Sequence, residues 1–191
     1  MSGENPAQGY LAELTVDIGA RGIAAVQRKL RPSPLELVFD RAISGCVHTG
    51  PVYIAGTNVP VLAEWLRVGV TSLEAVDGVR VQAFQLKPDT LGTLPAALHW
   101  KDDNPPPGQA NKQTIAIPAS STPVDFVDVV SHIHGAAVFQ LLHIVPGVVP
   151  WFPTGEYELT LIVTGESVKP RLRTFSLNLN DRGQIEFSRL T

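Results

Sequence analysis

The sequence predicts an all-β fold: an antiparallel two-sheet sandwich over residues 34–191, preceded by an N-terminal extension over residues 1–33. Three observations predict it. From Leu35 onward apolar residues recur in short runs with a period of two, no helical pattern intervenes, and Pro, Gly, Asn and Asp separate the runs. Eight or nine such strands without helices between them close as two antiparallel sheets packed face to face.

The extension begins with a small, polar tail, residues 1–9. Leu14, Val16 and Ile18 then alternate like a short strand, whereas Ile23, Val26 and Leu30 recur at helical spacing. Arg28, Lys29 and Arg31 suit a helix C-terminus, so a helix is expected over about 20–31, closed by Pro32 and Pro34.

The first sandwich strand is "LELVF". In "VPVLAEWLRVGVTS", Leu66, Val68 and Val70 share one face and Trp65 and Arg67 the other; in "VDGVRVQAFQL", Val79, Val81 and Ala83 alternate against Arg80 and Gln82. These two runs read as a hairpin. Residues 87–112 are rich in Pro, Gly and Asn and read as loop, with "ALHW" a brief strand inside it. "QTIAIP", "VDFVDVVSHI" and "AVFQLLHIV" are the next strands.

"YELTLIVTG" has the clearest alternation, with Tyr157, Leu159, Leu161 and Val163 inward. "RTFSLNL" and "QIEFS" form a hairpin through "NDRG", a turn whose Asn, Asp and Gly tolerate positive φ. Arg171 and Arg173 share the parity of Phe175 and Leu177, so the strand either runs past the core edge or carries a bulge.

Composition narrows the function. Charged residues make up 17% of the chain, below the roughly 25% of ordinary soluble domains. More of the surface is therefore neutral or apolar, which suits a face covered by a partner. A net charge of -3 supplies no field to gather nucleic acid or an anionic membrane. Cys46 is the single cysteine, so an intramolecular disulfide, a four-cysteine zinc site and a CxxC redox motif are all excluded. No apolar run has the length of a membrane span or a signal h-region.

"WLRVGVTSLEAVDGVRVQAFQL" followed much later by "TGEYELTLIVTG" resembles the immunoglobulin-like sandwich domains of bacteria and archaea, particularly the adhesion-related CARDB type. The likeness spans about half the chain. Ser72, Leu73 and Glu74 stand where those domains carry Asn and Gly in the first turn. The resemblance implies a structural or binding module without catalytic residues, and gives Tyr157 the role of a corner tyrosine bonded back to the backbone.

Several residues nevertheless invite chemistry. In "VSHIHGAAVFQLLHIV", His132 and His134 would project from one strand face about 6.6 Å apart, within reach of one transition metal. With the turn at residues 135–137, His132 faces about residue 140 and His143 lies roughly 10 Å along the strand. A third ligand must then come from His48, His99, Asp102, Asp103 or Asp128; otherwise the histidines are rim or partly buried residues satisfied by hydrogen bonds.

Cys46 and His48 offer a thiol and a base without an orienting acid, or simply a buried thiol. Asp102 and Asp103 offer hard oxygens to calcium, or a solvated turn stiffened by Pro105 to Pro107. Trp151 and Phe152, between prolines ahead of a strand, either cap the core or present an aromatic platform, to which Trp100 could contribute. No Walker motif, phosphate-binding Gly loop or G-x-S-x-G is present.

The expectation is thus a non-catalytic module without a cofactor, mediating protein binding or self-association. The alternatives are glycan recognition by Trp151, Phe152 and Trp100, and a metal-dependent enzyme centred on His132 and His134.

Overall fold

The computed structural model describes residues 32–54, 56, 58–88, 94–101, 112–142 and 151–190, and every regular element among them is a strand. In chain order these are β1 (Leu35–Val38), β2 (Val47–Tyr53), β3 (Pro60–Ser72), β4 (Val76–Lys87), β5 (Ala96–Ala97), β6 (His99–Trp100) and β7 (Ile115–Ile117). β8 (Ser120–Ile133), β9 (Val138–Leu141), β10 (Trp151–Pro153), β11 (Gly155–Thr164), β12 (Arg171–Leu179) and β13 (Ile185–Arg189) follow.

Two antiparallel sheets pack against each other, so the sandwich is as expected. The seven-stranded sheet runs β1-β3-β8-β9-β10, with β2 beside β3 and β6 beside β8. The six-stranded sheet runs β13-β12-β11-β4-β5, with β7 beside β4. The inward residues of both sheets form one core, from Leu66, Val68 and Val70 on one side to Leu159, Leu161, Phe175 and Leu177 on the other. Among the described residues no helix is long and apolar enough to cross a membrane.

One pairing departs from expectation. The runs forming β3 and β4 are not a hairpin, because β3 belongs to the seven-stranded sheet and β4 to the six-stranded one. The Ser72 hydroxyl donates to the Glu74 carbonyl at 2.6 Å in the link between them. Each strand has its own apolar face, and facing across the core buries both at once. The chain changes sheet again between β5 and β6, between β6 and β7, between β7 and β8, and between β10 and β11.

Two irregularities decide which side chains face inward. Leu66 pairs with Val130 and Arg67 with Asp128, leaving Val129 as an extra residue in β8. Strand parity switches there, so Val127 and Val130 both face the core, and His132 turns inward with Val130. Thr160 pairs with Gln85 and Leu161 with Ala83, so Phe84 does the same for β4, bringing in both Ala83 and Leu86.

The β11–β12 register is unbroken from Gly155 to Val163. The inward parity of Arg171 and Arg173 therefore reflects a strand running past the core edge, without a bulge. The expected strand and helix of the extension, Asp102, Asp103 and His143 lie outside the described residues.

Candidate functional site

The β8–β9 hairpin places His132 opposite Phe139, one residue from the expected position. His132 is 2% exposed. Its Nδ1 lies 3.0 Å from the Val138 carbonyl oxygen, and its Nε2 lies 3.0 Å from that of Gly183, in the turn between β12 and β13. A neutral imidazole can donate to only one of these oxygens and a doubly protonated ring to both. In either form both ring nitrogens face carbonyls, and neither is open to a metal ion.

His134 is exposed in the adjoining turn, where its backbone N–H donates to the Leu62 carbonyl at 2.9 Å. The pair expected to share a metal is thus divided between core and surface. The bulge at Val129 is what turns His132 inward. Among the described residues no three His, Cys, Asp or Glu side chains are grouped to hold a metal. Around His132 the sandwich end is an open cleft of about 600 Å³, lined by Arg41, Glu64, His134, Arg182 and Glu186 among others. Arg41 NH1 donates to Glu64 at 2.8 Å and NH2 to the Ile185 carbonyl at 2.9 Å, so it holds the two sheets together there.

At this same end the β2–β3 hairpin overhangs the core. Pro51 pairs with Leu62 and Tyr53 with Pro60, and Leu62 shares the inward parity of Leu66. Yet Leu62 is 48% exposed and Tyr53 70% exposed, and Ile54 and Val59 at the hairpin tip are exposed as well. Among the described residues no strand of the six-stranded sheet pairs with this hairpin, and Tyr53 and Leu62, which have core parity, present apolar surface there.

The outer face of the seven-stranded sheet carries a second feature. His48 lies opposite Trp65, Trp65 opposite Ser131, Ser131 opposite Gln140, and Gln140 opposite Trp151. This row crosses five strands, and at about 4.8 Å per strand it sets Trp65 and Trp151 roughly 14 Å apart. The His48 and Trp65 rings are 5.3 Å apart, and the Ser131 hydroxyl reaches Gln140 Oε1 at 3.5 Å between the two tryptophans. Trp151 is 52% exposed.

The aromatic platform expected from Trp151, Phe152 and Trp100 is not assembled. Phe152 is buried, stacked 5.0 Å from Phe139 and edge-on to Tyr157, because alternate residues of β10 point to opposite faces. Trp100 is also core, and its Nε1 has no acceptor among the described residues. Of the three only Trp151 remains available, and Trp65, which shares its face, was overlooked. The outward parity of Trp65 was readable; its alignment with Trp151 depends on three strand pairings that are not.

Cys46 is buried, and burial pushes its thiol up. His48 is exposed beside Trp65, so the two do not act as nucleophile and base. Tyr157 is buried, burial raises its phenol, and its hydroxyl donates to the Pro153 carbonyl at 3.1 Å, the back-bond expected of a corner tyrosine. No protein-family model, curated protein or solved structure matches this chain.

Proposed function

We propose that this chain is a non-catalytic immunoglobulin-like module, of the CARDB type, that binds a protein partner or assembles with other chains. The observation that carries the reading is the β2–β3 overhang, where Tyr53, Ile54, Val59 and Leu62 expose apolar surface beyond the core. The Tyr157 back-bond supports the immunoglobulin-like assignment.

Leu62→Asp and Tyr53→Asp test it, since both side chains are exposed and neither substitution should change stability by more than about 0.5 kcal/mol. Sedimentation across a concentration series and crosslinking should show association in the wild type that both variants abolish. A wild type that stays monomeric and crosslinks to nothing, or association untouched by both variants, would sink the proposal.

The Trp65–Ser131–Gln140–Trp151 row favours a second reading, glycan recognition on the outer face of the sheet. Two rings flanking polar side chains suit stacking against sugar faces with hydrogen bonds between them. A glycan array with Trp65→Ala and Trp151→Ala as controls checks it; binding that survives both removes it.

A further inference from the structure

Arg171, Arg173 and Arg189 continue the inward parity of β12 and β13 beyond the apolar core, and all three reach one carboxylate, Glu36 of β1 in the opposite sheet. They lie at the end of β12 away from the Gly183 turn, far along the strand from the β2–β3 overhang. Arg173 grips Glu36 at both oxygens, Nε on Oε1 and NH2 2.6 Å from Oε2, while its NH1 donates to the Leu172 carbonyl at 3.0 Å. Arg171 touches Glu36 only through NH2, 2.6 Å from Oε2, and Arg189 only through NH1, 3.3 Å from Oε1.

Of these four contacts the two from Arg173 are hydrogen bonds, one to each oxygen, and those from Arg171 and Arg189 are ion pairs. Burial pushes the Glu36 carboxyl up, but the Arg173 hydrogen bond and the charges of Arg173, Arg171 and Arg189 outweigh it, holding the group below its ordinary range and ionised. Three cations against one anion leave two positive charges. The Arg171 and Arg189 side chains are 38% and 44% exposed, and neither has a second acceptor among the described residues. Two guanidiniums with spare donors therefore flank a carboxylate already held at both oxygens by Arg173: Arg171, whose Nε is buried without a partner, and Arg189, whose side chain is partly open to solvent.

We infer that this end of the sandwich is a binding site for a dianionic oxyanion such as phosphate, held beside Glu36 by Arg171 and Arg189. Arg173 positions Glu36 and keeps it occupied. A guanidinium fork matches two oxygens of a tetrahedral oxyanion, and a dianion neutralises the surplus charge that a single carboxylate ligand would only halve. The site is independent of the partner reading, because it shares no residue with the overhang.

The test is a titration of the full chain, labelled for amide NMR, with sodium phosphate against sodium chloride at matched ionic strength, which removes general screening. Phosphate should produce saturable shifts at β1, β12 and β13 amides that chloride does not. Arg171→Gln and Arg189→Gln should each weaken binding by about tenfold, the loss of one charge-assisted hydrogen bond. Acetate should bind more weakly than phosphate.

Equal responses to phosphate and chloride, or undiminished binding in the double variant, would overturn the inference. Thermal melting of the wild type supplies a readout that needs no variant. Its midpoint should rise with phosphate above the chloride control, and an unchanged midpoint counts against the site.

Discussion

His132 Nε2 lies 3.0 Å from the Gly183 carbonyl oxygen, so a strand of one sheet is fastened to a turn of the other by a buried ring. The opposite nitrogen is fixed by the Val138 carbonyl within the β8–β9 hairpin. His132→Ala removes the bond that the ring donates between these two carbonyls and leaves a cavity, which should cost about 2–4 kcal/mol. Urea unfolding with and without a chelator measures this. The loss should be the same in both, whereas a metal-holding histidine would show its effect only without chelator.

Gly183 and Gly135 make a sharper comparison, because both have positive φ, +67° and +78°. A Cβ on Gly183 would come within 2.7 Å of the Gly135 backbone, whereas one on Gly135 would meet nothing within 4 Å. Gly135→Ala should therefore cost only the left-handed backbone penalty, about 1–2 kcal/mol. Gly183→Ala adds a clash between two turns that His132 holds together, and should cost distinctly more in the same urea series.

Neighbouring aromatics in β10 should separate cleanly. Phe152→Ala empties a position between Phe139 and Tyr157 and should cost about 3–5 kcal/mol. Trp151→Ala should change stability by no more than about 0.5 kcal/mol, since that ring faces solvent. Tyr157→Phe keeps the ring contacts but loses the bond to Pro153, a cost of about 1 kcal/mol. Thermal unfolding of the three variants should reproduce this order.

How much of this was readable follows from where the period of two holds. Leu66, Val68 and Val70, and the Tyr157 to Val163 series, alternate without interruption, and all face inward as their spacing requires. The β12–β13 hairpin was readable because Gly183 and the Asn180 side chain, which accepts from the Arg182 and Gln184 amides, are local turn chemistry. A partly buried, hydrogen-bonded His132 was one of the two readings open in the sequence, but its full burial was not legible, because one extra residue at Val129 sets its parity and nothing in a run of valines marks which one bulges. β2 escaped notice because Gly50 and Pro51 interrupt it, while its pairing with β3 is supplied by the partner strand. The Trp65–Trp151 row and the Glu36 arginine cluster join residues from separate strands, which only the register brings together.

The arginine cluster also predicts how stability depends on pH. In the unfolded chain Glu36 titrates near its ordinary value of 4.5, and in the folded chain its carboxyl is held lower, by the hydrogen bond and charges of the arginines against the opposing effect of burial. On acidification the unfolded state takes up the proton first. The contribution of Glu36 is therefore complete above about pH 4.5 and fades as pH falls through the lowered native value. Glu36→Gln should be less stable at neutral pH by about 1–2 kcal/mol, a partly exposed pair being worth less than a buried one. It should also lose less stability than the wild type between pH 5 and pH 3, a window set by that titration. Urea midpoints across this range, compared for the two proteins, should converge toward the acid end, and parallel curves would show that the arginines do not hold the carboxylate as the geometry requires.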